Sequence, residues 1–65
     1  MTQLGHFRYE IDEANAVRMW DDDNPDELDR PFFYQPDRPD GTPWADAAEV
    51  EAWTIDFLNN LLNPP

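Results

Sequence analysis

The chain has 65 residues and a formal net charge of −11, with 15 acidic side chains set against four arginines and no lysine. A charge of this size favours basic partners and argues against direct binding of nucleic acid or anionic lipid. The absence of cysteine and the presence of one histidine, His6, exclude disulfides, thiolate ligation and multi-histidine zinc sites; no apolar run is long enough to span a bilayer.

The first residues lack the basic-then-apolar layout of a signal peptide, so a soluble product made in the cytoplasm is expected. From Gly5 the chain alternates: Phe7, Tyr9 and Ile11 share one face, and His6, Arg8 and Glu10 the other, which predicts a half-buried strand over 5–11. Asp12, Glu13, Ala14 and Asn15 have turn chemistry, and Asn15 tolerates a left-handed backbone. A second strand over 16–20 then closes a hairpin, with Val17 and Met19 on one face and Ala16, Arg18 and Trp20 on the other. Residues 21–30 form an acidic loop in which Asp21, Asp22, Asp23, Asp26 and Glu27 make a negative surface.

Pro31 and Pro36 bracket a short third strand over 31–35, a position suited to a sheet edge. A turn segment through Gly41 follows. Thr42 as cap and Pro43 at the first position predict a helix over about 43–62, with Asp46 and Glu49 at its positive end. On that helix Ala47, Val50, Thr54, Phe57, Leu58 and Leu61 form one stripe flanked by Trp53, and Trp44, Ala48, Ile55 and Leu62 form a second patch. Together they exceed the ~100° of apolar surface that one sheet face covers, so the surplus is expected to meet another chain. Charge and low hydropathy alone describe a disordered segment, but three Trp, two Tyr and four Phe at periodic positions indicate a folded core. The expected architecture over 1–65 is one small α+β domain: an antiparallel sheet of about three strands packed on one C-terminal helix.

Chemistry is sparse. Asp22, Asn24 and Asp26 match the opening ligands of an EF-hand loop, but Glu27 stands where glycine is required and Phe33 where glutamate is required. No nucleophilic serine or cysteine, no lysine and no glycine-rich phosphate loop is present, and His6 reads as a surface or packing residue rather than a base. The expectation is a protein that is not an enzyme and needs no cofactor or metal. Its distinctive asset is aromatic: Trp20, Phe33, Trp44, Trp53, Phe57 and Leu61 are the candidate partner-binding residues, since tryptophan, tyrosine and arginine dominate interface energetics. Phosphate mimicry is the alternative, with Asp46, Glu49 and Asp56 extending the acidic loop toward the spacing of duplex charges.

Two segments carry a resemblance. Tyr9-Glu10-Ile11 before Ala16-Val17-Arg18-Met19-Trp20, and Pro39-Asp40-Gly41-Thr42-Pro43-Trp44-Ala45-Asp46-Ala47-Ala48-Glu49 followed by Trp53, resemble small proteins encoded in tailed-bacteriophage genomes near virion and tail-fibre genes. The resemblance covers about two thirds of the chain and implies a virion component located in the particle: a capsid decoration (cement) protein or a tail-associated accessory. The partners expected are other virion proteins, with self-association allowed. The alternative role is an acidic inhibitor that imitates nucleic acid and blocks a host DNA- or RNA-processing enzyme; a chaperone of tail-fibre assembly stands third.

Overall fold

A computed structural model describes residues 1–24 and 30–64. Along these residues run strands β1 (Thr2–Leu4), β2 (Phe7–Ile11), β3 (Val17–Asp21) and β4 (Phe33–Gln35), then helix α1 (Ala47–Leu62). The strands form one antiparallel meander in the order β1-β2-β3-β4. The α+β architecture with a small antiparallel sheet and a C-terminal helix is therefore present, and the sheet has four strands.

The additional strand begins the chain. Leu4 pairs with Phe7 across a two-residue loop, Gly5-His6, and Gly5 has φ 60°. Glycine with positive φ at the first loop position fits a type II′ turn, whose twist matches that of the flanking strands. The expected 5–11 strand is thus a turn followed by β2, because Gly5 reverses the chain at the start of the alternating stretch. The Asp12–Ala16 connection turns on Asn15 at φ 63°. One carboxylate oxygen of Asp12 accepts from the backbone N–H groups of Ala14 (2.8 Å) and Ala16 (3.1 Å), so this side chain organises the loop. The second hairpin strand lies one residue later than expected, and Asp21 belongs to β3, paired with Phe7, rather than to the acidic loop.

The expected 31–35 strand shortens to β4. The Phe32 N–H nevertheless donates to the Met19 carbonyl at 2.9 Å, which ties the approach to β4 onto β3. The helix starts later than the Thr42-Pro43 signal indicated. Its cap is Asp46, whose carboxylate accepts from the Glu49 N–H at 2.8 Å. Thr42 is otherwise engaged: its N–H and its hydroxyl both donate to Asp40, at 2.9 and 2.6 Å. Arg38 clamps this segment to the first helical turn through two bonds to Glu49, at 2.6 and 2.8 Å.

Strand alternation places Phe7, Tyr9, Val17 and Met19 on the face that meets α1, where they join Trp44, Val50 and Leu58 in the core. Met19, Leu58, Val17, Val50 and Thr54 are fully buried, and each large apolar side chain there contributes about 1.5–3 kcal/mol. Val50, Thr54 and Leu58 recur every fourth residue, so one line of the helix lies on the sheet.

This packing narrows the wide apolar helix face without covering all of it. Trp44 precedes the helix and is only 9% exposed. Trp53, Phe57, Phe33 and Leu62 are half-buried against the core. Trp53 bridges the group, with ring centroids 5.6 Å from Trp44, 5.1 Å from Phe57 and 6.3 Å from Phe33. Of the two helix patches, Ile55 (37%) and Leu61 (47%) are the large side chains left exposed among the described residues.

Candidate interaction face

The helix packs on one face of the sheet. Alternation places Gln3, Arg8, Glu10, Arg18, Trp20 and Tyr34 on the other. Register makes them cross-strand neighbours: Gln3 opposite Arg8, Arg8 opposite Trp20, Glu10 opposite Arg18, and Arg18 opposite Tyr34. Two of the four arginines in the chain therefore lie beside two large aromatics on the face opposite α1.

Each arginine is fixed twice. The Arg8 guanidinium carbon lies 5.6 Å from the Trp20 ring centroid, and its Nε donates to Asp22 at 2.6 Å. The Arg18 guanidinium carbon lies 4.8 Å from the Tyr34 ring centroid, and its Nη1 donates to Asp12 at 2.7 Å. A guanidinium over an aromatic face is attracted by the ring quadrupole, a modest contribution at a solvent-facing site. Gln3 adds a bond from its amide to Asp22 at 3.0 Å. That bond, with Arg8 behind it, holds the Asp22 carboxyl below its ordinary range; the bonds from Arg18 and then from the Ala16 N–H do the same for Asp12. The result is a pre-arranged polar and aromatic surface, with Tyr34 51% exposed.

The expected partner-binding residues divide accordingly. Trp20 lies half-buried on this face and Leu61 on the exposed side of the helix, whereas Phe33, Trp44, Trp53 and Phe57 lie in or against the core. Reasoning from sequence passed over Arg8, Arg18 and Tyr34. The signal was available in the alternation of β2 and β3, which already placed Arg8, Arg18 and Trp20 away from the core.

The acidic surface also divides. Asp26 and Glu27 lie outside the described residues. Asp21 accepts from His6 Nδ1 at 2.7 Å and from the Asp23 N–H at 2.9 Å, and Asp23 lies 3.6 Å from the same imidazole. The hydrogen bond to Asp21, with the charges of Asp21, Asp23 and Asp22 around it, raises the His6 pKa above its ordinary value. His6, expected on a strand, lies in the β1–β2 turn instead, its ring centroid 4.1 Å from that of Phe7.

No helix among the described residues is long and apolar enough to cross a membrane. The chain matches no protein-family model, no curated protein and no solved structure.

Proposed function

We propose that this chain is a non-enzymatic binding protein that docks on another protein through the sheet face its helix leaves open. The observation that carries the proposal is the pair of arginine–aromatic stacks, Arg8 with Trp20 and Arg18 with Tyr34, on that face. Tryptophan, tyrosine and arginine are the residue types that most often dominate binding energy, and here acidic partners already hold both arginines in place. Pre-arrangement of this kind lowers the ordering cost of association.

Within that reading, the setting we propose is the tailed-phage particle, as a capsid decoration or tail-associated accessory in contact with other virion proteins. The support is the resemblance of the β2–β3 and helix-start segments, together with the small size and acidity of the chain. The charged rim then steers encounter with a basic shell surface. Phosphate mimicry has less support: Asp22 is paired with Arg8, Glu49 with Arg38, Asp21 with His6, and Asp46 caps the helix.

Mass spectrometry of purified particles is the test of setting, with stoichiometric recovery of the chain expected; absence from particles overturns the virion reading. The docking face is tested separately by replacing Trp20 and Tyr34 with alanine. Co-sedimentation should be lost while the thermal melt keeps its cooperativity. Undiminished co-sedimentation would remove the proposed face.

A further inference from the structure

Three donors of two chemical kinds converge at the β1–β2 end of the sheet. His6 Nδ1 lies 2.7 Å from an Asp21 carboxylate oxygen and 3.6 Å from an Asp23 carboxylate oxygen, and all three donor atoms fall within 4.8 Å of one another. They come from opposite sides of a hairpin: His6 from the β1–β2 turn, Asp21 from the end of β3 and Asp23 just beyond it.

We propose that His6, Asp21 and Asp23 form a binding site for one divalent first-row transition ion of the Zn²⁺ class. An ion held about 2.0–2.2 Å from each donor needs neighbouring donors roughly 3.0–3.5 Å apart, and the two imidazole–carboxylate separations bracket that span. The charge also matches, because one neutral imidazole and two carboxylates carry −2. The donor set is informative as to ion: imidazole nitrogen suits Zn²⁺ and its neighbours, whereas Ca²⁺ takes six to eight oxygens.

The nitrogen donor is held by contacts outside the cluster. The His6 ring packs on Phe7, and the His6 carbonyl accepts from the Asp22 N–H at 2.7 Å, so the turn and the strand end are joined by backbone. The carboxylates are positioned in turn, Asp21 by its pairing with Phe7 in the sheet and Asp23 by its N–H bond to Asp21. Three protein ligands leave further coordination positions for water or for a side chain of a docked protein. The site uses none of the EF-hand ligand positions read in the sequence, Asp22, Asn24 and Asp26.

The test is calorimetric titration of the full chain with Zn²⁺ at pH 7.5 and moderate salt, with Ca²⁺ as the comparison ion and the His6 imidazole nitrogens followed by NMR. One Zn²⁺ per chain should bind, Nδ1 should shift, and Ca²⁺ should bind more weakly. His6→Gln, which leaves the carboxylates in place, and Asp23→Asn should each weaken Zn²⁺ by more than the ~10-fold typical of losing a supporting group. Asp37→Asn, which removes the same charge from an exposed position elsewhere, should leave affinity unchanged. The Asp23 side chain is 75% exposed, so its replacement keeps the fold and the test remains valid even if His6→Gln destabilises the turn. Zn²⁺ affinity no greater than that of Ca²⁺, full affinity in Asp23→Asn, or an equal loss in Asp37→Asn would each overturn the site and leave only diffuse attraction to an acidic surface.

Discussion

Gly5 shows how one residue decides a strand. Its φ of 60° is a backbone conformation that costs an L-residue about 1–2 kcal/mol, and an added Cβ would lie 3.0 Å from a Leu62 side-chain carbon. Gly5→Ala should therefore destabilise the protein by at least that amount in urea titration, and a neutral result would refute the turn assignment. Thr54 makes the opposite point. Its side chain is fully buried, and its hydroxyl has no hydrogen-bond partner among the described residues. Thr54→Val keeps the shape and removes the desolvated oxygen, so a gain of about 1 kcal/mol is expected, read as a higher urea midpoint at unchanged slope.

At the scale of elements, the helix is defined by its cap and its aromatic flank. Asp46→Ala should cost about 1 kcal/mol by leaving the Glu49 N–H without its acceptor, and helix content should fall in circular dichroism. Thr42→Ala should change helix content far less, because Thr42 bonds Asp40 and lies before the helix. If the two losses were reversed, the helix would begin at the proline as the sequence signal indicated. Trp53→Ala and Phe57→Ala should each lower stability by about 2–4 kcal/mol, because both rings pack against Phe33 beside the core. They are therefore poor probes of binding; Trp20 and Tyr34 are the better ones.

For the whole molecule, pH acts through carboxylates held by partners. Glu49 is held below its ordinary pKa chiefly by Arg38, Asp12 by Arg18 and Asp40 by the Thr42 hydroxyl. A pKa depressed in the folded state means that the unfolded chain binds protons first as pH falls. The stabilisation from these groups is complete above the unfolded values, roughly pH 4, and is lost as pH drops through the lower folded values. Chemical denaturation from pH 6 to pH 2 should show falling stability, and Asp12→Asn should make the decline shallower; an unchanged slope would refute the contribution of the Asp12–Arg18 pair. All of these groups are solvent-facing, so added salt should weaken the effect.

Much of the architecture was legible in the chain itself. The period-two pattern of Phe7, Tyr9, Val17 and Met19, the turn at Asn15 and the four-residue spacing of Val50, Thr54 and Leu58 are local signals, and they determined an antiparallel hairpin followed by a helix. They determined equally which sides of β2 and β3 stay away from the core. Tertiary structure decided what local pattern does not encode. The short run Thr2–Leu4 has too few residues to show a period, and it became a strand because β2 offered an edge with unpaired backbone groups. Trp44, Trp53 and Phe57 looked like surplus surface on a helical wheel, but Asp46 rather than Thr42 won the cap, and Trp44 was freed to turn inward onto Trp53. The candidate sites had the same origin. Arg8 with Trp20, Arg18 with Tyr34, and His6 with Asp21 and Asp23 are distant in sequence, and only strand register brings them within reach of one another.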